Sequence, residues 1–240
     1  MLAALKSEPP AKNSCISPNL RSAGRWLAAF CLMAAASIAP AAAMDFRLEG
    51  VAQGGGCRAG RCPQVIVAEG QITNSTPGEF LEFLRENVVN NDLRTVVFLN
   101  SQGGYVVASM ELGQMFRRIG AATVVARLGS SRDRGRFLTA QCLSACVYAF
   151  MGGRKRVSPP GSALGIHRMF ANMSEGGFFG GGTVRRVHDD GSMARLLINY
   201  SSRMGVSGEL IRSAEHYPSQ GIHLVTPGEM ARWNLAGRVF

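Results

Sequence analysis

The chain has 240 residues, 46% hydrophobic and 18% charged, with a formal net charge of +10. That composition excludes a disordered or low-complexity protein, and the length suits one medium domain. So basic a chain raises nucleic acid as a partner, but its arginines are dispersed rather than gathered in long blocks.

The first 43 residues are expected to stand apart from that domain. Lys6, Lys12, Arg21 and Arg25 give a basic start, and the uncharged apolar run "WLAAFCLMAAASIAPAAA" follows, closing on Ala41-Ala42-Ala43. This is the order of an export signal cleaved after Ala43, and the apolar run is short for a bilayer span; an uncleaved anchor is the alternative. Phe30 before Cys31 argues against lipidation. Without residues 1–43 the chain keeps 22 basic and 15 acidic residues, a net +7, and Lys155 is its one lysine. The expected location is periplasmic or secreted, with membrane contact only through an uncleaved signal. A protein there rarely meets nucleic acid, so Arg132, Arg134 and Arg136, and Arg154 to Arg156, read as solvated basic surface or as loose affinity for anionic envelope polymers.

Cys57, Cys62, Cys142 and Cys146 remain after the signal, an even number that suggests disulfides in an oxidising compartment. Cys57 and Cys62 bracket "RAGR" between two strand-like runs, which suits a loop staple. Cys142 and Cys146 flank Ser144; they either pair or are small buried residues. The spacings match no standard zinc set, and neither metal nor cofactor is implied.

In chain order, "FRLEGVA" and "QVIVAEGQI" read as strands. "NSTPGEFLEFLRENVV" reads as a helix capped by Thr76, with Pro77 at its first position and Leu81, Leu84 and Val88 on one face. "RTVVFLN" is a strand buried on both faces, broken by "SQGG". A helix from Tyr105 carries Ala108, Leu112, Met115, Phe116 and Ile119 on one stripe and stops at Gly120; "ATVVARL" is the next buried strand. This βαβ order implies a parallel sheet. "RKRVSPPGSALGIH" adds strand-like segments, and "DDGSMARLLINYSSRMG" is a helix with Met193, Leu196, Leu197, Tyr200 and Met204 in register. "VSGELIRSAEH" and "TPGEMARWNLAG" are shorter helices, the second with Thr226 and Glu229 at capping-box spacing. The stretch at 175–183, "EGGFFGGGT", reads as a mobile loop by composition.

"QCLSACVYAFMG" puts Ser144 between two cysteines at the start of a helix. On its own that serine is either a helix N-cap or a nucleophile, His167 is an ordinary histidine, and Gly103-Gly104 is a tight turn. The order of the pieces says more. "FLNSQGG" ends a buried strand, "CLSAC" opens a helix, "GGRKR" turns, and "LGIHRM" brings His167, 23 residues after Ser144. Across roughly residues 63–238 this resembles the Clp-type serine peptidases of the ClpP/crotonase superfamily, and more closely the exported ClpP-like proteins of proteobacteria.

The resemblance implies an α/β fold, a ClpP/crotonase-like repeated ββα spiral with a mainly parallel sheet flanked by helices, as a single domain over 44–240. It implies Ser144 as nucleophile, His167 as base, and the Gly104 and Ala145 N–H groups as oxyanion hole. The expected partner is a peptide or protein, and a homo-oligomer is within the family's habit. One departure stands out. The position where the peptidases carry an orienting carboxylate is occupied by Ile222, beside His223, and no aspartate follows Asp190. The site is then a Ser–His dyad, a site that borrows Glu215 or a carbonyl, or a pseudoenzyme cleft that binds peptides or an envelope partner; Glu229 is the cap partner of Thr226. A crotonase-like acyl-CoA enzyme would need coenzyme A, which is not expected outside the cytoplasm. A Ser–Lys dyad would need a lysine well beyond the serine, whereas Lys155 sits eleven residues on, in a turn expected to point outward.

Overall fold

The computed structural model describes residues 42–51, 64–87, 95–129, 136–175, 183–188 and 190–237. The body of the expected signal, Cys57 and Cys62, and residues 176–182 of the glycine-rich stretch lie outside the described residues.

The main sheet runs β1 (Asp45–Gly50), β2 (Gln64–Glu69), β3 (Val96–Asn100), β4 (Ala122–Leu128) and β5 (Phe137–Thr139), with β7 (Lys155–Val157) also on β4. β2, β3, β4 and β7 pair in parallel; β1 and β5 are antiparallel additions. Alternation along each central strand feeds two apolar layers. Val65, Val67, Phe98, Val124 and Ala126 face a small cluster. Ile66, Ala68, Val97, Leu99 and Val125 face the main core, with Phe116, Phe150, Tyr200 and Trp233. This explains the near-continuous apolar runs of β3 and β4: both faces are covered.

A second sheet orders β11 (His223–Leu224), β8 (Ala163–Ile166) and β6 (Gln141–Leu143). Isolated bridges from Ile72 to Gly104 and from Ser101 to Cys142 extend this second layer toward the ends of β2 and β3. The repeated unit is visible in the chain order. A main-sheet strand passes into a short second-layer segment and then a helix: β2, Gln71–Ile72 and α1 (Thr76–Asn87); β3, Ser101–Gly104 and α2 (Val106–Arg118); β4, β6 and α3 (Cys146–Met151). The expected ββα spiral and mainly parallel sheet are present. After β8 come a hairpin of β9 (Phe170–Glu175) and β10 (Thr183–His188), then α4 (Ser192–Arg203), α5 (Glu209–Ala214) and α6 (Pro227–Arg232).

Two helix faces differ from expectation. On α1 the buried aromatic side chains are Phe80 and Phe83, while Leu81 is 41% exposed; Leu84 is only partly buried and Val88 lies outside the described residues. Phe80 meets Phe46 at 5.0 Å and Phe116 at 5.1 Å, so burial of the larger aromatics sets the rotation of the helix. On α4, Leu197, Tyr200 and Met204 are buried and Leu196 is exposed. Thr76 occupies the first turn of α1 rather than capping it from outside, and its Oγ1 accepts the Thr73 N–H. The α6 capping box is present as expected: Thr226 Oγ1 accepts the Glu229 N–H, and Glu229 accepts the Thr226 N–H.

Candidate active site

β6 ends at Leu143 and α3 starts at Cys146, leaving two residues to turn the chain from sheet to helix. Ser144 makes the turn with φ +54, left-handed and uncommon for a side chain larger than glycine. A sharp strand-to-helix elbow of this kind lifts a nucleophile clear of the sheet. Its backbone is fixed on both sides: the Ser144 N–H donates to Gly165 O at 2.8 Å, and Ser144 O accepts the Val147 N–H at 3.1 Å. Cys142 and Cys146 form a disulfide across the elbow, with Cα atoms 5.2 Å apart. Of the two alternatives left open for this pair, pairing is the one observed.

The serine hydroxyl does not cap the helix. It meets His167 Nε2 at 2.7 Å. His167 arrives there because β8 runs parallel to β6, with Gly165 opposite Leu143, so the residues just past both strand ends share one edge. His167 Nδ1 lies 2.7 Å from the Arg168 carbonyl oxygen. A carbonyl can only accept, so Nδ1 carries the hydrogen and Nε2 of the neutral ring is left to accept the Ser144 O–H. That is the tautomer a general base requires.

Among the described residues, no carboxylate performs this orienting role. Glu215 pairs instead with the Arg168 side chain, Oε2 to Nε 3.2 Å. Glu229 holds Thr226 and His223, the latter at 3.0 Å. Burial alone would raise the Glu229 carboxyl; hydrogen bonds from the Thr226 N–H and hydroxyl and from His223 outweigh it and hold the group below its ordinary value. Ile222, at the position expected to lack the carboxylate, lines the cleft.

Gly103 and Gly104 pass beside the elbow with φ +103 and +146. A Cβ on Gly103 would fall 2.7 Å from Leu143 O and 2.9 Å from Ser144 Cβ; one on Gly104 would fall 1.9 Å from Ile72 O. Glycine is therefore required twice, once by the close approach to Ser144 and once by the bridge to Ile72. Among the described residues, neither the Gly104 N–H nor the Ala145 N–H has a hydrogen-bond acceptor, and both residues line the same cleft as Ser144 and His167. Unpaired N–H groups beside a nucleophile are what a developing oxyanion needs.

The cleft encloses about 790 Å³, and among the described residues no Asp, Glu, Lys or Arg lines it. Burial, then the Glu215 charge, pushes the Tyr148 phenol in its wall far above its ordinary range. Lys155 is exposed on β7, away from the cleft lining. Among the described residues no group of three or more His, Cys, Asp or Glu is placed to hold a metal ion.

Sequence reasoning missed one wall. Phe170, Ala171, Val187 and His188 come from the β9–β10 hairpin. His188 Nε2 meets Ser219 Oγ at 3.2 Å, Arg186 donates to Ser219 O at 3.2 Å, and the Arg186 guanidinium sits 4.4 Å over the Phe170 ring. Two extended runs flanking a glycine-rich stretch are themselves a hairpin signal.

No family model matches the chain, and no curated protein matches it. Solved structures do. A serine-to-alanine variant of the 1510-N membrane-bound stomatin-specific protease is similar at TM-score 0.50 and 19% identity, over 72% of this chain and 78% of that one. A lysine-to-alanine variant of the same protease, in complex with a substrate peptide, is similar at TM-score 0.50 and 21% identity, over 72% of this chain and 74% of that one. ClpP1 from Listeria monocytogenes gives TM-score 0.48 and 18% identity, over 72% and 88%. The fold is similar to that of the stomatin-specific protease. At such identities the likeness establishes the frame, and that frame accounts for where the site sits: each spiral turn ends at the same edge of the second sheet, so Gly104, Ser144 and His167, far apart in the chain, meet there.

Proposed function

We propose that this chain is a serine peptidase of the ClpP-like superfamily that cleaves peptide bonds with a Ser144–His167 dyad, and that it works in the periplasm or outside the cell. The 2.7 Å contact between His167 Nε2 and Ser144 Oγ carries the reading. Ser144 Oγ attacks the scissile carbonyl carbon while its proton passes to Nε2. The Gly104 and Ala145 N–H groups receive the oxyanion, and the imidazolium returns the proton to the leaving amine. A water molecule repeats the sequence on the acyl-enzyme. The substrate peptide bound to the stomatin-specific protease supports a peptide as ligand here too. A buried disulfide supports an oxidising compartment, as does the order of residues 1–43.

One observation favours the second reading, a peptide-binding pseudoenzyme: the imidazolium leans on a carbonyl dipole and not on a carboxylate charge. In a serine protease triad, disabling the carboxylate costs about 10⁴ in turnover, so the expected enzyme is slow. A fluorophosphonate probe decides between them. Wild-type protein is expected to be labelled, and Ser144→Ala and His167→Ala each to lose the label. An unlabelled wild type makes the pseudoenzyme the answer; full labelling of His167→Ala would mean that another group activates the serine.

A further inference from the structure

Resting on the Ser–His reading, we infer that the Cys142–Cys146 disulfide is a positioning device for the nucleophile: it holds Ser144 in its left-handed backbone and the Ala145 N–H toward the cleft, beyond any part it has in overall stability.

The bridge joins the second residue before Ser144 to the second residue after it. Those two residues belong to different elements. Cys142 is the middle of β6, paired with Leu164 and bridged to Ser101. Cys146 opens α3, a helix whose every residue is buried. Ser144, between them, has φ +54. Left to its own preference a serine leaves that region for a right-handed or extended backbone, and such a turn would swing Cβ and Oγ off the line to His167. Two backbone hydrogen bonds oppose the swing, from the Ser144 N–H to Gly165 O and from the Val147 N–H to Ser144 O. The covalent tie adds what hydrogen bonds cannot: the ends of the elbow cannot part while the elbow rearranges.

The same tie reaches the oxyanion donors. The Ser101 N–H donates to Gln141 O at 2.8 Å, the Leu143 N–H donates to Ser101 O at 3.0 Å, and Ser101 Oγ accepts the Gly103 N–H at 3.1 Å. The loop that presents Gly104 is thus laced to the Cys142 side of the bridge, while Ala145 adjoins the Cys146 side. Nucleophile and both donors are referenced to one covalent link. Both cysteines are 0% exposed. Reductant in solution reaches so buried a bond only slowly, through transient local opening of the fold, so the bridge is a standing constraint and not a redox switch.

The double variant Cys142→Ala/Cys146→Ala removes the tie without leaving an odd thiol. A disulfide that only stabilises would lower the melting temperature and leave the labelling kinetics of folded protein alone. The positioning role predicts that the limiting rate of fluorophosphonate labelling falls about 10- to 100-fold, with the half-saturating probe concentration little changed. A second measurement needs no mutation. Wild-type protein is partly reduced with dithiothreitol, each bridge taking two electrons and two protons to become two thiols while the reagent closes to its cyclic disulfide. Circular dichroism checks that the sample is folded, which is then exposed briefly to probe and alkylated. The tryptic peptide from Phe137 to Arg154 carries Cys142, Ser144 and Cys146 together, so mass spectrometry reads probe and alkyl groups on one molecule. The adduct is expected on peptides without alkyl groups. Equal limiting rates, or equal adduct on alkylated and unalkylated peptides, overturn the inference while the Ser–His reading stands. Absence of any Ser144-dependent label on the oxidised wild type overturns that reading and this inference with it.

Discussion

On the proposed mechanism, Gly104→Ala tests the oxyanion donors apart from the base. Gly104 has φ +146, a backbone that side chains rarely adopt, and an added Cβ would lie 1.9 Å from Ile72 O and 2.8 Å from Ile72 C. Ile72 cannot yield cheaply. Its N–H donates to Gly103 O at 2.8 Å, its carbonyl accepts the Tyr105 N–H at 3.0 Å, and its side chain is fully buried. The glycine loop must therefore move until that contact opens from 1.9 Å to beyond the 3.0 Å that real Cβ atoms keep, and the residue 104 N–H leaves the cleft position. Losing one oxyanion donor costs about 10²–10³ in rate, or about 3–4 kcal/mol of barrier. The forced backbone costs a further ~1–3 kcal/mol of stability, which a melting curve reports separately. Neither Gly104 nor Ile72 hydrogen-bonds to Ser144 or His167. The assay is the second-order rate constant for fluorophosphonate labelling, measured well below the variant's melting temperature, with Ser144→Ala as the blank. A fall of about 100-fold or more is expected. A folded Gly104→Ala protein labelled at the wild-type rate would refute the placement of Gly104 in the mechanism and the argument from unpaired N–H groups behind it.

The Glu229 carboxyl is held below 4.5 in the folded chain, so its cap contributes fully above the unfolded value and is lost as the pH falls through the lower folded value. Glu229→Gln should therefore destabilise by about 1 kcal/mol at neutral pH, with the melting-temperature gap closing in acid; a gap that persists unchanged at about pH 3 refutes the linkage. Cys57 and Cys62 are expected to pair in exported protein, adding about 2 kcal/mol by loop-closure entropy; two free thiols in the unreduced peptide would count against it. Export is expected to cleave between Ala43 and Met44, which keeps the buried Met44 and its N–H bond to Gln71 O but gives up the bond from the Gln71 N–H to Ala42 O. N-terminal sequencing of secreted protein checks this, and a mature chain that still contains Trp26 contradicts it.

The parts of this protein that could be read in one dimension are those whose cause is local or strictly periodic. The apolar runs of β3 and β4 announce strands covered on both faces because each alternate residue meets a different apolar layer. The α6 capping box is a contact between residues three apart, so its spacing is its structure. The order of "SQGG", "CLSAC" and "GIH" is legible because each piece needs a special residue: glycine where a Cβ would collide, serine at the elbow, histidine to meet the serine hydroxyl. The third dimension decided what depends on partners distant in the chain. Leu81 and Phe80 are equally apolar letters, and only the presence of Phe46 and Phe116 settles which of them turns inward. Four cleft residues fall within the two arms of the β9–β10 hairpin, Phe170, Ala171, Val187 and His188, and nothing in their identity marks them as a wall. The group that orients His167 was the least legible of all. Every residue has a backbone carbonyl, so the Arg168 oxygen that takes the place of a carboxylate leaves no trace in the sequence; it is visible only once the chain past β8 has turned that oxygen to 2.7 Å from Nδ1.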